Sequence, residues 1–90
     1  MIKSFRSKAL ESFFTKGEKR KLSVSNIARL GRMLRALDDA SAPEDMNVPG
    51  FHFHALQGAP RFSCRVTGNW RLTFGWDGAD AIDVDLEDYH

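Results

Sequence analysis

The sequence predicts an α+β domain: two N-terminal helices on one face of a mainly antiparallel sheet of four to five strands, the first a short N-terminal strand. Apolar residues recur at helical spacing in the first forty positions, and after Pro49-Gly50 they alternate with period two. The 90 residues suffice for one hydrophobic core and would leave a second marginal, so 1–90 is expected to be a single domain.

After a short opening segment at 2–5, Ala9, Leu10, Phe13 and Phe14 share one helical face, and Gly17 stands where a left-handed residue ends a helix. Residues 16–21 form a basic connector, with Ser23 or Ser25 available to cap the next helix. There Ile27, Leu30, Leu34 and Leu37 make the apolar stripe, Met33 sits on its flank, and Arg29, Arg32 and Arg35 lie largely outside it. Pro43, Pro49 and Gly50 break that period.

Strands are expected at 51–56, 61–66, 70–76 and 81–88. In the last three the apolar faces are Phe62/Cys64/Val66, Trp70/Leu72/Phe74/Trp76 and Ile82/Val84/Leu86. Such faces need a helical cover, which leaves the opposite face open to solvent. A three-residue loop at 67–69 sets Val66 opposite Trp70, Cys64 opposite Leu72 and Phe62 opposite Phe74, so Arg65 meets Arg71 on the other face. In the following hairpin a two-residue Asp77-Gly78 turn would invert the faces. A three- or five-residue loop is therefore expected, with Arg71 across from Asp85 or Glu87.

Composition narrows the class. The chain is 42% hydrophobic and 28% charged, with seven Phe, two Trp and one Tyr, which excludes a disordered or collagen-like chain. No apolar run reaches the roughly 18 residues of a membrane span, no secretory signal is visible at Met1, and the single Cys64 forms no internal disulfide. A cytoplasmic protein is expected. The formal charge of +1 conceals a polarity: residues 1–37 carry ten Lys/Arg and two acids, 38–60 four acids, 61–76 three Arg, and 77–90 six acids. That distribution fits docking on a polyanion, and it equally fits a fold that pairs its charges internally.

Two arginines opposed on one sheet face repel each other unless an anion sits between them, and guanidinium groups match phosphate oxygens in bidentate fashion. The competing reading is structural, with Asp85 or Glu87 neutralising Arg71. His52 and His54 share one face of their strand, with Phe51, Phe53 and Ala55 on the other, and the sequence leaves open which is core. A metal site of the histidines, Cys64 and His90 lacks any zinc-type spacing, so neither metal nor cofactor is expected. The closing Glu87-Asp88-Tyr89-His90 brings imidazole, phenol and carboxylates together. Folded over the Arg65/Arg71 face, it would place a general acid or base beside a cationic clamp, the requirement for RNA cleavage by attack of the 2′-hydroxyl. A frayed terminus is the alternative.

Several segments together resemble HigB-type toxins of the RelE/ParE superfamily from end to end: 1–5, Phe13-Phe14-Thr15-Lys16-Gly17, His54-Ala55-Leu56-Gln57-Gly58, Asn69-Trp70-Arg71-Leu72-Thr73-Phe74 and Glu87-Asp88-Tyr89-His90. The resemblance implies a RelE-like fold and a bacterial type II toxin, a metal-independent endoribonuclease that cleaves mRNA in the ribosomal A site and inhibits translation. A helix-turn-helix HigA-type antitoxin would neutralise it, and operator DNA would be reached only through that antitoxin, with no membrane partner. By position, Arg71 would stabilise the transition state, His90 and Tyr89 would move protons or hold substrate, and His54 would line the cleft. Asp88 would support the terminal segment, and the basic residues of the first half would grip ribosomal RNA. The chain departs from the family pattern at Gln57, where a lysine is usual, and at Thr67, where an arginine is usual. Arg61 and Arg65 are expected to compensate on the substrate-binding side; a slow toxin is the consequence if they do not. Two other readings of the same scaffold are a gyrase-targeting ParE-like toxin and a catalytically feeble protein that mainly binds its antitoxin.

Overall fold

The computed structural model describes residues 1–89. Helix α1 (Lys8–Lys16) begins where the Ser7 hydroxyl accepts the Leu10 N–H at 3.1 Å. It ends at Gly17, whose φ of 74° lets its N–H reach the Phe13 carbonyl at 2.9 Å while Glu18 N–H returns to Ser12 at 3.4 Å. Helix α2 (Ile27–Asp39) is capped by Asn26, which accepts from Arg29 N–H, in place of the serines expected for that role. Its Leu30, Leu34 and Leu37 are fully buried, and so is Met33, which the sequence placed on the flank. A 3₁₀ turn at Pro43–Met46 follows, fixed by Asp45 accepting from Ser41 N–H at 2.8 Å, and it buries Met46 in the core.

The sheet runs β1 (His54–Ala55), β2 (Arg61–Thr67), β3 (Trp70–Asp77), β4 (Asp80–Asp88), all antiparallel neighbours in chain order. The opening segment adds a parallel edge along β4 through bridges Ile2 to Ala81 and Phe5 to Val84. Asp38 at the end of α2 accepts the Ile2 N–H at 2.8 Å and ties that edge to the helical layer. Between the layers lie Leu10, Leu30, Met33, Leu34, Leu37, Cys64, Leu72, Phe74 and Val84. Phe53, Phe62 and Phe74 stack in succession, each pair of ring centroids 5.7 Å apart.

Register confirms Phe62 opposite Phe74, Cys64 opposite Leu72 and Arg65 opposite Arg71. The turn, however, is the two-residue Gly68-Asn69, with Thr67 opposite Trp70 and Val66 pushed out by a bulge. Gly68, at φ 57°, supplies the positive angle that such a turn asks of its first residue. A single arginine holds the bulge. Arg29 donates to the carbonyls of Val66 (2.7 Å), Arg65 (2.9 Å) and Gly50 (2.7 Å), and its guanidinium lies over the Phe51 ring.

The second hairpin also turns in two residues, Gly78-Ala79, against the longer loop expected. Such a turn does invert the faces, and β4 corrects this with a bulge at Asp83, a non-glycine residue at φ 50°. Ahead of the bulge Ala81 is the buried residue, while Ile82 pairs with Gly75 on the opposite face, so Ile82 leaves the apolar set assigned to it. Beyond it Leu86 meets Leu72 and Glu87 meets Arg71. The bulge is clamped from both sides: Ser4 Oγ accepts the Asp83 N–H at 2.9 Å, and Arg61 donates to the Asp83 carbonyl at 2.9 Å.

The strand expected at 51–56 contracts to two residues because His52 adopts φ 51° and kinks the backbone. Phe51 still accepts Arg65 N–H at 2.7 Å, and Leu56 N–H reaches Arg61 at 2.9 Å. Among the described residues no helix is long and apolar enough to cross a membrane.

Candidate functional site

The face of the sheet turned away from the helices carries three rows of side chains. Arg65, Arg71 and Glu87 form one row, and Arg61, Gly75 and Ile82 form another. Between them run His54, Ser63, Thr73 and Asp85. Ser63 and Thr73 are fully buried, so the middle of this face is closed and not open to solvent as expected. Arg61 lies across it, donating to Thr73 Oγ1 at 3.0 Å, and the Thr73 hydroxyl donates to Glu87 Oε2. This relay gives Glu87 a hydroxyl partner. Ion pairs among the described residues are Met1–Asp80 and Lys3–Asp77, both away from Arg71.

Arg71 is turned toward the hairpin. Its Nη1 donates to the carbonyls of Gly68 (3.1 Å) and Trp70 (3.2 Å), and its guanidinium carbon lies 5.9 Å from the centre of the Tyr89 ring. Tyr89 is positioned by its backbone, whose N–H reaches Asn69 at 2.8 Å and carries the β4 pairing one residue further. Asp88 stands opposite Trp70. Arg65 is exposed beside Arg71. The structure therefore gathers Arg65, Arg71 and Tyr89 at one end of the face, while His90 lies outside the described residues.

His54 projects from β1 on this same face, opposite Ser63, and is exposed, while Phe51 and Phe53 pack on the core. Its Nδ1 is 3.0 Å from the His52 carbonyl. A carbonyl only accepts, so that bond requires the proton on Nδ1 and leaves Nε2 of the neutral ring as a free base. Arg61 shares the face but sits four residues along β2 from Arg65, about 13 Å at strand rise. Gln57 is exposed in the turn between β1 and β2, beyond the Arg61 end, and Thr67 closes β2 opposite Trp70.

Two residues of this face, Thr73 and Ser63, escaped the sequence reading. Thr73 binds Glu87, which the sequence had offered as a partner of Arg71, and the Ser63 hydroxyl is buried without a hydrogen-bond partner among the described residues. Their signal was the polar alternation Arg61/Ser63/Arg65 and Arg71/Thr73/Gly75. Cys64 is on the core side, where burial pushes its thiol up to about 12 against a smaller opposing pull from Arg29, so it stays neutral. No group of three or more His, Cys, Asp or Glu among the described residues is arranged to hold a metal ion.

A family model described as RelE-like toxin of type II toxin-antitoxin system HigB matches residues 3–90. Over 92 aligned residues the chain is 35% identical to a protein of Proteus vulgaris named Endoribonuclease HigB, with both chains covered in full.

Proposed function

Because the chain belongs to the HigB-like family of RelE-like toxins of type II toxin–antitoxin systems, we propose that it is an endoribonuclease cutting mRNA in the ribosomal A site, without a metal. The name of the Proteus vulgaris relative supports the reaction class. The observation that carries the reading is the pairing of Arg65 with Arg71 on the face turned away from the helices, with Tyr89 laid against the Arg71 guanidinium.

In this reading the scissile phosphate lies on Arg71, with Arg65 as the second cation, so the charge that grows on the phosphorus oxygens meets fixed guanidinium groups. An imidazole takes the proton of the 2′-hydroxyl as that oxygen bonds to phosphorus. The bond to the 5′ oxygen breaks, and a second group protonates the departing oxygen, leaving a 2′,3′-cyclic phosphate and a 5′-hydroxyl. His54 Nε2 and His90 are the imidazoles of the assignment, and Tyr89 holds substrate or shares the proton work. Asp88 supports the terminal segment, while Arg61 and Gln57 line the substrate path. The basic residues of α1, α2 and their connector grip ribosomal RNA. Arg29 is a special case, because its guanidinium is committed to three carbonyls.

An antitoxin partner follows from the family; a helix-turn-helix HigA-type protein that carries the complex to operator DNA is the proposed form. One domain spanning 1–90 acts in the cytoplasm. Gln57 and Thr67 replace two family cations, which favours a slower toxin as the second reading. The test is incubation of the purified protein with translating ribosomes, followed by mapping of transcript ends. Cuts within reading frames, lost in Arg71→Ala, are expected, and intact mRNA overturns the reading. DNA-damage signalling in expressing cells, undiminished by His90→Ala, would instead assign the gyrase-directed activity.

A further inference from the structure

At the far end of the same face, past the buried Ser63/Thr73 row, lies a cavity of about 250 Å³ of which the assignment above uses Arg61 alone. Gly75 forms its floor, with Ile82 and Pro60 as apolar walls, and Arg6, Arg61 and Asp83 supply charge. From this arrangement we infer that the cavity is a base-binding subsite for an mRNA nucleotide flanking the cut, and so sets part of the sequence context of cleavage. The inference rests on the endoribonuclease reading and deepens it.

Four features point to that ligand. The volume is below the range for drug-sized ligands, which suits one ring system. Apolar walls at Ile82 and Pro60 offer a surface for the face of an unstacked base, the form in which proteins read single-stranded RNA. Two arginines against one carboxylate favour a polyanion overall, and Arg6 is exposed with a guanidinium that makes no hydrogen bond or ion pair among the described residues, leaving it to meet a backbone phosphate. Asp83, finally, offers a carboxylate that accepts from an exocyclic amine, and so discriminates among bases.

The cavity is a product of the β4 bulge. That extra residue turns Ile82 onto this face, and Gly75 opposite it has no side chain; a Cβ there would meet Ile82 Cγ1 at 3.3 Å. Ser4 and Arg61 hold the backbone of Asp83 at both N–H and carbonyl, which aims its side chain without committing its carboxylate. Arg61 thus couples the two ends of the face, since the guanidinium that fixes Asp83 also engages Thr73, which holds Glu87 beside Arg71.

The experiment maps cut sites on a diverse mRNA pool with translating ribosomes for wild type, Arg6→Ala and Asp83→Asn. Asparagine is among the residues that best tolerate positive φ, and Arg6 is exposed, so both variants should fold, which thermal unfolding checks. Wild type is expected to prefer an amine-bearing base at one fixed position away from the cut. Asp83→Asn should flatten that preference at least fivefold. Arg6→Ala should raise KM several-fold while kcat on saturating substrate stays within twofold. A preference unchanged in folded Asp83→Asn, or none at any position beyond the cut in wild type, overturns the subsite while leaving the endoribonuclease reading intact. Absence of any cut by wild type overturns both.

Discussion

Arg71 and Glu87 face each other across β3 and β4, yet the Glu87 carboxylate is bound by the Thr73 hydroxyl while Arg71 lies against the Tyr89 ring. A cation left with carbonyl and aromatic partners keeps its charge available to an incoming anion. Arg71→Ala should therefore lower the rate of RNA cleavage by about 10²–10³ with little change in unfolding temperature. Arg71→Lys should restore only a fraction, because an ammonium lacks the fork that matches two phosphate oxygens. Single-turnover cleavage of ribosome-bound mRNA measures both.

Arg29 is expected to matter for stability and not for RNA contact. Arg29→Ala removes three charge-assisted bonds to the Val66, Arg65 and Gly50 carbonyls and should destabilise by about 3 kcal/mol in urea unfolding. Arg32→Ala and Arg35→Ala, whose exposed side chains make no hydrogen bond among the described residues, should each change it by less than about 0.5 kcal/mol.

The β4 bulge depends on Ser4. Ser4→Ala leaves the Asp83 N–H without its acceptor and should cost about 0.5–1.5 kcal/mol, read as a lower melting temperature. If that variant melts with wild type, the clamp contributes nothing.

Cys64 sets an alkaline limit. Its folded value of about 12 lies above the ordinary 9.0, so the neutral thiol is favoured in the native state and the unfolded chain gives up its proton first. The resulting stability contribution is complete below about pH 9 and declines as pH rises toward 12. Urea midpoints at pH 8 and pH 10.5 should diverge for wild type more than for Cys64→Val, and native thiol labelling at pH 8 should be negligible.

A tag fused directly after His90 should reduce cleavage more than the same tag before Met1, because Tyr89 is paired to Asn69 and laid on Arg71. Equal rates for the two fusions would remove the terminal residues from the mechanism.

Much of this geometry was legible in the sequence because it follows from short-range alternation. Arg65 opposite Arg71 required only two strands of known apolar face around one turn, and an error of one residue in the loop was absorbed by the Val66 bulge. What stayed hidden had tertiary causes. The positive φ of Asp83 carries no glycine to announce it, and its supports, Ser4 and Arg61, come from 79 and 22 residues away. His52 kinks its strand in the same unannounced way. The burial of Ser63 and Thr73 was illegible because both are polar and occupy positions that alternation assigns to solvent, whereas the long Arg61 side chain crosses the row. Arg29 looked like surface charge on a helical wheel, and only the returning loop made it a staple.

The parallel edge at Ile2 and Phe5 has a bearing on biosynthesis. Strand β4 is interior, flanked by β3 and by a segment translated almost eighty residues earlier. Until β4 has been translated, that segment lacks the strand it pairs with, and the helices lack the part of their cover that Ala81 and Val84 supply. A nascent chain stalled before Asp80 thus holds the Arg65/Arg71 pair without Glu87 or Tyr89 beside it, and the face is completed by the last residues to be translated.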